Sequence, residues 1–285
     1  MCSMVVGFLG ADGVDPVAVL PSGHHIRWAM EVLGHAFALP MEDADVIAGS
    51  LRIYERWLGV DDASLVAKGG KGGKDQRPAC MQKVEQTFIQ DMLGQMTLLF
   101  EERSTSGVAS GSVDASVAKH VVLETFDALT KRRGAQLSPQ TWDRMIRLLL
   151  GAADGVLHNL RNVLGNQLCG QLVRLLFEVY LRSLPHCGPR GELWSLLQKF
   201  SRRWIHRSLV IEQWNAVTLA LTKSLMRQIH VPDAAIGIEI VWADSRQPSK
   251  FEYVISLMSP RDYWFSWTEL VIDWILTVSA TLFLV

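Results

Sequence analysis

The chain has 285 residues, 49% of them apolar, with 28 basic against 29 acidic side chains and a formal net charge of -1. That length holds either one large domain or an extended array of repeats with a continuous core. The near-neutral balance argues against a dedicated nucleic-acid binder, which needs a net basic face, while leaving room for local patches. The four cysteines, Cys2, Cys80, Cys169 and Cys187, are scattered without a CxxC pair. Reduced thiols are therefore expected rather than a disulfide framework or a zinc site. The opening MCSMVVGFLG has no basic n-region, which argues against a secretory signal and for a cytoplasmic protein.

In chain order, residues 1–21 are rich in Gly, Ala and Val, and Pro16 and Pro21 interrupt any periodicity. They are expected to be a flexible lead-in. Ser22 is a good N-cap, and Ile26, Met30, Leu33 and Phe37 follow at spacings that share one helix face, up to Pro40. A second helix is predicted over about 43–58, with Ile47, Leu51, Tyr54 and Leu58 in its stripe, and the short connection pairs the two. KGGKGGKDQRP (68–78) breaks the pattern as a solvated loop. A third helix follows over about 79–100 through Val84, Phe88, Met92 and Met96.

The polar stretch 104–112 precedes a fourth helix, about 114–131, carrying Val117, Val121, Phe126 and Leu129. Ser138-Pro139 opens a fifth, because proline is pre-organised at the first helical position; it presents Trp142, Ile146 and Leu149. Leu168, Leu172, Leu176 and Val179 mark a sixth, expected to stop at Pro185, and Leu193, Leu197, Phe200 and Trp204 mark a seventh. Ser208 caps an eighth, with Trp214, Val217, Leu221 and Leu225 lining its stripe. Consecutive helix pairs every 40 to 50 residues or so fit an all-α, HEAT- or armadillo-like α-solenoid over 22–231. Its expected core anchors are Trp28, Trp57, Trp142, Phe177, Trp204 and Trp214.

Residues 232–285 read as a divergent tail. GIEIVWAD (237–244) and FEYVISLM (251–258) are short strands or irregular segments, and TELVIDWILTVSATLFLV (268–285) is a terminal apolar helix. The clean part of that run, 274–285, spans only about 18 Å against a hydrocarbon thickness of roughly 30 Å. Extending it upstream brings in Asp273 and Glu269, both costly at depth. A solenoid helix is the reading, and a membrane-associated adaptor anchored by 268–285 is the alternative.

No pattern carries chemistry. A Walker A loop needs G-x-x-x-x-G-K-[ST], but Lys74 is followed by Asp75. His24, His25 and His35 lack metal-ligand spacing, so no metal and no cofactor are expected. No catalytic residue is assigned. Lys199, Arg202, Arg203 and Arg207, with His206 among them, form a basic cluster at the end of the seventh helix. Part of it is ordinary macrodipole complementarity. The remainder makes these four cations candidates for contact with an acidic protein or a lipid.

RWAMEVLGHAFALPMEDADVIAGSLRIYERWL (27–58) resembles the early helical repeat of Ral GTPase-activating protein subunits, most closely the beta subunit. TWDRMIRLLLGAADGVL (141–157), LVRLLFEVYLRS (172–183) and VIEQWNAVTLALTKSLMR (210–227) follow in that family's order, with Trp194, Trp204 and Trp214 at its tryptophan positions. The resemblance implies a helical scaffold related to the tuberin N-terminal region. It further implies a complex that stimulates GTP hydrolysis by Ral- or Rheb-type small GTPases. In that family catalysis belongs to a separate C-terminal domain with an asparagine thumb, and the beta subunit partners a catalytic alpha subunit. Asn215 lies in the repeat region and matches no thumb. The resemblance therefore implies a non-catalytic chain whose partners are a GTPase-activating subunit and, through it, a small GTPase.

Overall fold

The computed structural model describes residues 1–11, 14, 16–60, 86–101, 113–159, 162–188, 191–230, 236–242 and 250–255. The glycine-rich loop 68–78, the polar stretch 104–112 and the apolar run 268–285 lie outside these residues. The chain divides into two compact units, 1–156 and 157–285.

In the first unit the expected lead-in carries regular structure. Helix α1 (Cys2–Leu9) packs on α3 (Gly23–Ala36) and α4 (Ala44–Leu58), and a short α2 (Pro16–Val19) precedes buried Leu20. The reason is an apolar stripe: Val5, Val6 and Leu9 recur at helical spacing toward the two helices. Ser22 caps α3 as its sequence position implies, its Oγ accepting from the His25 N–H at 3.4 Å. Helix α4 ends on Gly59, whose φ of 69° is a left-handed value open to glycine. The stripes meet at Tyr54, whose hydroxyl donates to the Met30 carbonyl at 3.0 Å and contacts the Gln95 side chain of α5 (Gln86–Thr97). Phe37 closes on the Tyr54 ring edge-on at 5.3 Å.

Helix α6 (Val113–Arg133) packs on α4. Its last residue, Arg133, reaches the Leu58 carbonyl at 2.8 Å, and Arg132 reaches the Val60 carbonyl, so two cations satisfy backbone acceptors at and just beyond the end of α4. Helix α7 (Pro139–Leu157) is capped twice: Ser138 Oγ accepts from the Thr141 N–H, and Gln86 Oε1 accepts from the Ser138 N–H at 2.8 Å. Val117, expected in the α6 stripe, is exposed.

The second unit holds α8 (Val163–Cys187), α9 (Gly191–Arg203) and α10 (Ser208–His230). Pro185 does not stop α8, which runs two residues further to Cys187 and ends at Gly188 with φ 66°. A proline this close to the end removes a single intrahelical bond in the last turn. An aromatic chain joins the three helices: Phe177 to Trp214 at 5.6 Å, Trp214 to Trp194 at 5.8 Å, and Trp194 to Tyr180 at 5.8 Å.

The irregular-tail expectation is corrected, and the strand alternative holds on an otherwise helical molecule. Ile236–Val241 (β1) and Lys250–Ile255 (β2) pair antiparallel, Ile236 opposite Ile255 and Val241 opposite Lys250. β1 packs on α10 and β2 on α8. Trp242, fully buried, donates its indole N–H to Glu178 Oε1 at 3.0 Å. Arg174 and Arg182 hold the same carboxylate at 3.1 and 2.8 Å, so this buried charge is paired on both oxygens. The described molecule is thus predominantly helical with one β-hairpin.

Of the expected core anchors, Trp57, Trp142, Phe177 and Trp204 are buried and Trp214 is half-buried. Trp28 is not a core residue, being 48% exposed. It sits two positions from fully buried Ile26, and at about 100° per residue that places it on the opposite face of α3.

Candidate functional site

Helix α9 buries Leu193, Trp194, Leu197 and Ser201, which leaves Glu192, Ser195, Lys199, Arg202 and Arg203 on its outer face. Lys199, Arg202 and Arg203 are exposed in the last turns, where the helix dipole favours cations. The Arg203 guanidinium lies 5.7 Å from the Phe200 ring centre, and Phe200 in turn stacks on buried Trp204 at 5.9 Å. The chain then turns tightly, the Arg207 N–H donating to the Trp204 carbonyl at 2.9 Å. Ile205, 48% exposed, stands in that turn.

Arg207 is not part of this surface. It is buried, with Nε donating to the Leu157 carbonyl at 2.8 Å, one terminal nitrogen to the Asn159 carbonyl at 2.8 Å, and the other to Asn166 Oδ1 at 2.7 Å. A planar fork of donors suits three acceptors fixed around it, and their hydrogen bonds offset its burial. Its role is to hold the backbone at 157–159 against α8. His206 reaches the same Leu157 carbonyl at 3.1 Å through Nε2, an arrangement that needs the proton on that nitrogen. Three of the four sequence-derived cations remain together on the surface and the fourth is structural.

The sequence stripe reading missed the second feature beside this turn. Ile211, Leu219 and Met226 are exposed on α10, at 39%, 56% and 49%. Their spacing is visible in the sequence, but Trp214, Val217 and Leu221 on another face drew the assignment of a single stripe. Burial raises the Cys169 thiol to about 11 although the Arg207 charge pulls it down, which keeps it protonated and unreactive near neutrality. Among the described residues no group of His, Cys, Asp and Glu is placed to hold a metal ion. No described helix is long and apolar enough to cross a membrane.

Residues 114–232, which run from α6 through the end of α10, match the RALGAPB N-terminal domain. That sets the class: the chain is similar to the N-terminal region of Ral GTPase-activating protein beta subunits, the family its ordered sequence blocks resemble. Among individual proteins it is 27% identical to Ral GTPase-activating protein subunit beta of Rattus norvegicus over 241 residues, 81% of this chain and 15% of the relative. The Homo sapiens protein of the same description is 26% identical over 218 residues, 75% of this chain and 13% of its own. A Rap-GAP domain-containing protein of Dictyostelium discoideum is 29% identical over 126 residues, 44% of this chain and 8% of the relative. The chain therefore spans a small part of the length of these relatives. No solved structure matches it.

Proposed function

We propose that this chain is a non-catalytic scaffold and partner-binding region of a complex that activates Ral- or Rheb-type small GTPases. The observation that carries the reading is the family match over 114–232, which covers all or nearly all of five consecutive helices, α6 to α10. Their caps, buried stripes and exposed outer faces support a HEAT- or armadillo-like stacking in which ridges remain available to a partner subunit. The proposed partner is a GTPase-activating subunit, and through it the small GTPase; the proposed compartment is the cytoplasm. No catalytic residue is assigned, because the sequence offers neither a Walker A loop nor a nucleophile elbow to hold one.

Affinity purification of the tagged full chain is expected to recover a protein with a GTPase-activating domain and a small GTPase. Recovery of neither overturns the reading. Purified chain alone is expected to leave the GTP hydrolysis rate of Ral and Rheb unchanged, and an acceleration would remove the non-catalytic assignment. Deleting 268–285 tests membrane contact: a membrane adaptor loses its vesicle pelleting, whereas a scaffold keeps its partners and its soluble behaviour.

A further inference from the structure

Helix α10 buries Val210, Gln213, Val217, Leu221 and Ser224 on one side. On the other, Ile211, Asn215, Leu219, Thr222 and Met226 fall within a sector of about 80°. This ridge is about 22 Å long, four helical turns, and holds no charged side chain. Its three apolar residues are all exposed. The surroundings are predominantly cationic. Lys199, Arg202 and Arg203 lie exposed ahead of its N-terminal end, with Ile205 in the turn between, and Lys223 and Arg227 are exposed along one edge against the single acid Glu212.

We propose that this ridge docks an amphipathic, acidic helix of a partner protein, with the partner's apolar stripe on Ile211, Leu219 and Met226 and its carboxylates toward the cations. Residues at i, i+4 and i+8 form a ridge that seats in the groove of a second helix, and four turns are long enough to take the two-turn i to i+7 anchor set of helix recognition. Excess positive charge at the rim favours an acidic partner and sets the orientation of encounter. The polar Asn215 within the ridge decides for protein over lipid. Its amide would enter a bilayer without partners, whereas a protein surface can pair it; the Thr222 hydroxyl already donates to the Thr218 carbonyl at 2.8 Å. The inference deepens the partner-binding reading by naming the chemistry of the contact.

The probe is a fluorescein-labelled synthetic helix with leucines at i, i+4 and i+7 and glutamates elsewhere, beside a twin with lysine for every glutamate. Anisotropy with the full chain is expected to show the glutamate peptide binding at least ~10-fold tighter than its twin, with affinity falling as salt rises. Leu219→Asp should weaken that binding ~10-fold or more, and Arg202→Glu several-fold with a smaller salt dependence. Both side chains are exposed, so the variants should keep the wild-type melting curve. Absent or equal peptide binding, or no effect of Leu219→Asp, overturns the proposal. So does cosedimentation with phosphatidylserine–phosphatidylcholine vesicles that Leu219→Asp abolishes, which would make the ridge a membrane surface. Self-association abolished by the same substitution would make it a contact between copies and likewise overturn it. Failure of the peptide while a GTPase-activating subunit still co-purifies overturns this surface alone and leaves the proposed function standing.

Discussion

At Arg207 one guanidinium meets two backbone carbonyls and an amide oxygen, all between 2.7 and 2.8 Å away. Arg207→Met keeps much of the bulk but leaves the Asn159 carbonyl and the Asn166 amide without that donor. A cost of about 2–4 kcal/mol is expected, read as a lowered Tm. Arg202→Met, on the exposed face of α9, should stay within about 0.5 kcal/mol of wild type. The tryptophans divide in the same way. Trp142→Ala removes a fully buried side chain and should cost about 3–5 kcal/mol. Trp28→Ala should cost less than about 1 kcal/mol, because almost half of that side chain is already in water. Equal losses at the two sites would mean that the faces of α3 and α7 are misplaced. In the sequence both arginines belong to one basic run and both tryptophans to apolar helices. The stripe Ile26–Met30–Leu33 already placed Trp28 off the buried face, and reading that period strictly would have excluded it. Nothing local distinguishes Arg207, since its acceptors lie roughly 40 to 50 residues upstream.

Helices were legible as elements because their signals are local. Ser22 and the Ser138-Pro139 pair start helices where N-caps and N1 prolines belong, and the structure adds Asn162 as a further N-cap and Gly59 as a left-handed stop. The errors at this scale have physical causes. α1 carries a weak signal because its buried stripe is short and small, and Pro185 reads as a stop at a position where only the last turn feels it. The residues of the hairpin fit strand and irregular structure alike, since two isolated strands are marginal without a surface to cover them. That surface is α8 and α10, and Trp242 is its anchor through Glu178. Trp242→Ala is accordingly expected to destabilise the chain by about 3–5 kcal/mol. It should also lower hydrogen-exchange protection of 236–241 and 250–255 more than that of α9. Unchanged protection of the hairpin would mean that the indole is not what holds it.

Across the whole molecule, burial sets a limit at alkaline pH. The Tyr54 and Tyr180 hydroxyls are both pushed far above the ordinary value of 10.0 by burial, with the Asp91 charge adding to the effect at Tyr54. Cys169 rises from 9.0 to about 11. A group whose folded pKa is raised gives stability that is fully present below its unfolded value. Between the two values the unfolded chain loses its proton first, so stability falls as pH rises. The expected outcome is denaturant stability that holds up to about pH 9 and then declines, beginning with Cys169 and steepening as the tyrosines join. The ultraviolet tyrosinate signal of Tyr54 and Tyr180 should appear only together with loss of helical circular dichroism. Their ionisation in a still-folded chain would contradict the buried hydrogen bonding of the Tyr54 hydroxyl to Met30.

The residues by themselves determined where most helices start and stop and which faces are apolar, because caps, prolines and a period of 3.6 act over a few neighbours. The ordered blocks from 141 to 227 also carried the family likeness, which the match over 114–232 supports. Only the tertiary structure decided which apolar face is covered. On α10, Val217 and Leu221 are sealed while Leu219 and Met226 remain in water, a difference that depends on neighbouring elements rather than on the helix. It likewise decided that Arg207 is a structural donor while Lys199 and Arg202 stay at the surface. Long-range acceptors recruit a charge only once the backbone has brought them within hydrogen-bond distance.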